Sequence, residues 1–132
     1  IKLKSINTVI ENLIQSDFIT KIPFPITNVD ILKEYLHIKK IMFKGDGESA
    51  CLAYVKHTKD IIGSSNLKDV KRYCSLHKIE LLTTMDFLCE AIKNNILSEV
   101  ECDNFIFKVL RAGSKLPVQK MSDYSCKQII NY

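Results

Sequence analysis

Residues 37–95 read HIKKIMFKGDGESACLAYVKHTKDIIGSSNLKDVKRYCSLHKIELLTTMDFLCEAIKNN, and their alternation of apolar runs with helical patterns decides the fold. Residues 38–43, IKKIMF, have the short apolar character of a strand. Gly45 and Gly47 break it, and a helix from about Glu48 to Lys59 buries Cys51, Leu52 and Val55. DIIGSS reads as a second strand and NLKDVKRYCSLHK as a helix with Leu67, Val70, Cys74 and Leu76. IELLT is a third strand and TMDFLCEAIKNN a further helix. Strand and helix alternating three times predict an α/β fold, a mainly parallel sheet with helices packed on it.

The flanks are helical. Ile6, Val9, Ile10, Leu13 and Ile14 repeat at helical spacing, and Pro23 and Pro25 then exclude a regular helix. Thr27 or Asn28 can cap a helix carrying Val29, Leu32, Tyr35 and Leu36. Ser98 opens the last helix and Gly113 closes it at the C′ position, whereas residues 115–132 carry no strong period. Without repeats, linkers or low-complexity tracts, residues 1–132 read as a single domain.

Composition narrows the class. A chain of 132 residues with 46% hydrophobic and 26% charged residues is that of an ordinary globular domain. No apolar run approaches a membrane span and no signal-peptide pattern opens the chain, so the expectation is a cytoplasmic protein with no membrane association. The five cysteines are an odd number, and reduced core thiols account for them most simply. Cys74 and His77 form the nearest approach to a metal pair, but a structural zinc needs a second pair that is missing. Cys51 and His57 share a helix without a third group to orient them, which leaves nucleophilic catalysis unsupported. The net charge of +4 permits a nucleic-acid or acidic partner without requiring one.

The carboxylates raise the question of chemistry. Glu48, Asp69 and Asp86 each follow a predicted strand and fall near the same sheet edge, where α/β folds place their ligands. Acids converging there could hold Mg²⁺ or Mn²⁺, which take oxygen ligands. Helix capping competes for two of them: Asn66 with Asp69 and Thr83 with Asp86 have capping-box spacing, as do Ser98 and Glu101. Glu48 differs, because Asp46 or Gly47 could cap its helix without it.

The order of these motifs resembles the PIN-domain family, in particular its bacterial subgroup with a GxGE motif. The likeness runs from about Ile6 to Leu97. It rests on Gly45-Asp46-Gly47-Glu48, the small-residue helix after it, the strand ending at Gly63-Ser64-Ser65-Asn66, and the basic helix that follows. It implies a three-layer α/β/α sandwich and a divalent-metal-dependent ribonuclease, in many members the toxin of a toxin–antitoxin pair. Glu48 falls on the motif's glutamate and becomes the catalytic and principal metal residue. Glu11 falls near a second acidic position, and Asp69 and Asp86 are further acids for Mg²⁺ or Mn²⁺. Ser65 and Asn66 would position phosphate or metal-bound water, and Lys68, Lys71 and Arg72 would contact an RNA backbone.

The family's first strand has no counterpart here, and the expectation from that is a given sequence that lacks an N-terminal segment of the domain. The acidic turn of the family corresponds to residues 63–66, which contain no carboxylate, and the expectation from that loss is the alternative, a catalytically degenerate PIN-like module. It would bind RNA without cleavage, a second copy of itself, or a small antitoxin-like protein through the segments IENLIQSDF and ILKEYL.

Overall fold

The computed structural model describes residues 2–42 and 45–129, and of these the side chains of all but residues 2–4 and 69. Helix α1 spans Lys2–Gln15, α2 Val29–Met42 and α3 Asp46–Thr58. Strand β1 (Ile62–Gly63) leads into α4 (Leu67–His77), and β2 (Leu81–Leu82) into α5 (Thr84–Lys93). Helix α6 covers Glu99–Arg111, and one 3₁₀ turn at Met121–Asp123 interrupts the irregular segment after it. None of the described helices is long and apolar enough to cross a membrane.

The expected parallel pairing is present. Ile62 faces Leu81 and Gly63 faces Leu82, with the Ile62 N–H donating to the Glu80 carbonyl at 3.0 Å and the Ser64 N–H to that of Leu82 at 2.9 Å. With α4 as the crossover this is a β-α-β unit, so the protein is a mixed α/β domain. Among the described residues the sheet has these two strands only.

The strand expected at residues 38–43 is a correction: residues 38–42 are the last turns of α2, and Phe43 lies outside the described residues. The reason is visible in the spacing. Ile31 and Ile38 are buried, and Tyr35 and Met42 pack partly buried against the same cluster. Positions 31, 35, 38 and 42 form one helical stripe, and a five-residue apolar run cannot by itself be told from the end of such a stripe. Asn28 caps the helix, accepting the N–H groups of Asp30 and Ile31 at 3.1 Å each.

Helix α3 packs against α2. Its buried stripe is Ser49, Leu52, Ala53 and Val55, which leaves Cys51 at the margin and exposed, contrary to the expected burial. One core cluster joins α2, α3, β1 and α4 through Ile38, Leu52, Ile62, Val70 and Tyr73. A second joins α5, α6 and the 3₁₀ turn through Met85, Cys102, Ile106 and Met121.

A polar clasp ties the first cluster together. The buried Tyr73 of α4 donates its hydroxyl proton to Glu34 Oε1 of α2 at 2.5 Å, and Lys56 of α3 pairs with Glu34 Oε2 at 2.7 Å. Burial opposes the Glu34 charge, but the Lys56 and Tyr73 hydrogen bonds outweigh it and hold the carboxyl below its usual range. A depressed folded-state pKa contributes stability that is present above the unfolded carboxylate value and is lost as pH falls through the folded one. The thermal stability of the wild type should therefore exceed that of Glu34→Gln near pH 7. The gap should narrow in melts taken progressively below about pH 4.5. A gap that holds constant down to about pH 3 would remove Glu34 from the acid response.

The cysteines are a second correction. Cys74 and Cys102 are buried free thiols, as expected. Cys89 and Cys126 instead form a disulfide, with Cα atoms 5.9 Å apart across 37 residues of sequence. The segment after α6 turns back onto α5, which brings a residue of the aperiodic tail beside a helix.

Candidate nucleic-acid interface

Both parallel strands end at helix N-termini, so the turns 64–66 and 83 lie side by side at one sheet edge. Such an edge presents backbone N–H groups and the positive ends of two helix dipoles. A cleft of about 520 Å³ opens there. Ser65 and Lys71 border it from the first turn and α4, and Thr83, Thr84 and Asp86 from the second turn and α5. Lys115, Tyr124 and Lys127 close it from the segment after α6.

Asp86 is 1% exposed. Its Oδ2 accepts the Thr83 N–H at 2.7 Å and the Thr83 hydroxyl at 2.9 Å, and Thr83 Oγ1 accepts the Asp86 N–H in return. That is the capping box expected from the spacing. Tyr124 reaches Asp86 Oδ1 at 3.4 Å and Lys127 Nζ lies 3.6 Å from Oδ2. The same ammonium donates to the Leu81 carbonyl at 2.6 Å and to Glu80 Oε1 at 3.3 Å.

Glu48 stands in the first turn of α3, where Gly45 rather than Asp46 or Gly47 occupies the cap position and no side chain caps. Its Oε1 accepts a hydrogen bond from Asn66 Nδ2 at 3.1 Å, so the glutamate of the GDGE segment and the β1–α4 turn are brought together. Asp46 takes a different role: it accepts the Tyr35 hydroxyl at 2.9 Å and pairs with Lys39, clasping the start of α3 to α2. The Lys39 and Tyr35 hydrogen bonds hold the Asp46 carboxyl below its usual range.

The remaining expected residues divide. Ser65 and Lys71 line the cleft, whereas Lys68 and Arg72 are exposed on α4 without bordering it. Asn66 is the N-cap residue of α4 but makes no side-chain cap bond, its amide being turned to Glu48. Glu11 is exposed on α1 beside a separate groove with Asn7, Ile14 and Lys21. Asp69 falls on α4, and its side chain lies outside the described residues.

Among the described residues no three His, Cys, Asp or Glu side chains gather as a metal site. Asp86 is committed to its cap and to Lys127, and Glu11 sits beside a separate groove. Lys115, Tyr124 and Lys127 were not legible as cleft residues, since residues 115–129 have no period to place them. Cys126 was the one signal, through the odd cysteine count. No protein-family model, curated protein or solved structure matches the chain.

Proposed function

We propose that the chain is a PIN-like, nuclease-related module that binds RNA through its phosphate backbone in the cleft beyond β1 and β2. The observation that carries this reading is the lining of that cleft. Lys71, Lys115 and Lys127 supply ammonium groups, and Ser65 and Thr84 supply hydroxyl donors. Lys71 and Lys115 have no acidic partner among the described residues, while the Asp86 carboxylate is already matched by Thr83 and Lys127. Ammonium and hydroxyl donors around helix N-termini suit phosphate oxygens, which position a nucleic acid without reading its sequence. The three-layer PIN sandwich and the PIN-type toxin role belong to this proposal through the motif resemblance.

Cleavage is a separate part of the reading, and Glu48 carries it. The GDGE motif places this carboxylate against Asn66 at the mouth of the β1–α4 turn, where it would be the principal ligand of Mg²⁺ or Mn²⁺. The degenerate alternative keeps the RNA cleft and lacks the cut.

One experiment separates these. Fluorescein-labelled single-stranded RNA is titrated with the intact chain at several salt concentrations, with and without Mn²⁺. The expected result is binding that weakens linearly in log–log form with salt, and a Lys71→Ala/Lys115→Ala variant whose slope is shallower by about 2. Binding with a salt-independent affinity would overturn the backbone reading. Cleavage products that appear with Mn²⁺ and vanish in Glu48→Gln would assign a nuclease, and binding without products would assign the degenerate module.

A further inference from the structure

The chain after α6 returns to the cleft and is fixed at successive points. Met121 is buried, and its N–H donates to Asp103 Oδ1 of α6 at 2.7 Å. Tyr124 then reaches Asp86, Cys126 is bonded to Cys89 of α5, and Lys127 enters the cleft wall beside Glu80 and Asp86. Met121 is held by packing in the second core cluster. Residues 125–128 are exposed and have no regular structure, so the disulfide is the one covalent tie that keeps Lys127 in place. The remaining ties are side-chain hydrogen bonds and partly exposed ion pairs, which by themselves order a mobile chain weakly.

The two sulfurs of that tie differ in access: Cys89 is buried and Cys126 is exposed. We infer that residues 124–128 form a redox-held strap that supplies Lys127 to the cleft, so that reduction of the Cys89–Cys126 bridge weakens the hold on an RNA phosphate backbone. This rests on the RNA-binding reading of the same cleft.

The electrostatics follow from the contacts. With the bridge closed, the Lys127 ammonium stands between Glu80 and Asp86 and offsets carboxylate charge on that wall. With the bridge open the ammonium leaves, and Asp86 keeps its place because the Thr83 capping box holds it. The cleft then has one cation fewer and an acid facing the incoming phosphate. The reductant is a low-molecular-weight thiol of the glutathione class. Its thiolate attacks the exposed Cys126 sulfur, and the S–S bond breaks to release Cys89, which takes up a proton. A second thiol then attacks the mixed disulfide, freeing Cys126 as a thiol and leaving as the oxidised dimer. Two electrons and two protons pass from two thiols to the protein.

The test uses the full chain, fluorescein-labelled single-stranded RNA and dithiothreitol as the reductant. Dissociation constants are measured at about 50 mM salt for the oxidised protein, the reduced protein, Cys126→Ser, and Lys127→Gln with its bridge intact. Reduction, Cys126→Ser and Lys127→Gln should each weaken binding by about fivefold, a difference that shrinks as salt screens it. Dithiothreitol should leave Cys126→Ser unchanged. Trypsin cleavage after Lys127, followed by mass spectrometry, should be faster in the reduced protein, which reports strap release without RNA. Equal RNA affinity in both redox states, or unchanged affinity in Lys127→Gln, would overturn the strap and leave the RNA cleft standing. Absence of RNA binding in every form would overturn the cleft reading and the strap's role with it. Equal trypsin rates would show that the bridge does not hold the segment, which also overturns the inference.

Discussion

Reducing the Cys89–Cys126 bridge in the intact chain is expected to lower the unfolding free energy by about 3–4 kcal/mol. The bridge spans 37 residues, a loop long enough to remove much conformational freedom from the unfolded chain. Domains of this kind are stable by only about 5–15 kcal/mol, so a loss of that size is a large share of the total. The loop contains α6 and Met121, which with α5 make up the second core cluster. The loss should accordingly be felt in that half first, before the α2–α3–α4 half that Glu34, Lys56 and Tyr73 clasp. Urea denaturation with and without dithiothreitol measures it, and Cys126→Ser serves as control. The variant should match the reduced wild type and gain no further sensitivity to reductant. Identical midpoints for oxidised and reduced protein would mean that the bridge contributes nothing to the folded state's advantage.

The fold was legible where a local rule and the packing agree. The capping boxes at Thr83–Asp86 and Ser98–Glu101 formed as their spacing suggests, whereas Asn66, at the same spacing from Asp69, makes no side-chain cap bond and turns its amide to Glu48 instead. The two strands that bracket α4 were legible too, each being a short apolar run between turn residues. Residues 38–42 were misread because the apolar run also completes a helical stripe begun at Ile31, and burial against α3 decides between the two. The ends of α3 and α4 were legible to within a residue even though Lys59 (φ 60°) and Lys78 (φ 55°) terminate them in a left-handed conformation where glycine is the usual sign.

The site was legible in part, for a related reason. Ser65 and Lys71 could be placed because they follow a strand within the same β-α-β unit. Lys115 and Lys127 reach the cleft through tertiary contacts of an aperiodic segment, and no periodicity announces a long-range contact. The disulfide that secures the segment was hidden as well. Five cysteines leave the choice of pair open, and burial is as good an explanation for Cys89 as bonding until Cys126 is placed beside it. The contact of Glu48 with Asn66 joins two segments that sequence order keeps 18 residues apart.

Asp86→Ala is expected to destabilise the protein by about 2–4 kcal/mol, whereas Asp86→Asn should cost about 1 kcal/mol. The alanine removes the acceptor for the Thr83 N–H and hydroxyl, so the half-buried start of α5 loses its cap and is left with a donor to satisfy. It also takes away the carboxylate that Lys127 and Tyr124 approach. Asparagine keeps an oxygen that can accept the Thr83 N–H in nearly the same place, and loses the charge that favours a helix N-terminus and the Lys127 ammonium. Urea midpoints of the two variants beside the wild type make the comparison. The order wild type, Asn, Ala identifies the carboxylate as a structural cap whose second duty is to face the cleft. The opposite order, with alanine as stable as the wild type or more so, would mark Asp86 as a residue kept at a cost to stability for binding, as crowded ligand carboxylates are. In that case metal titration of the wild type, with Asp86→Asn as its control, would replace RNA binding as the next measurement on this cleft.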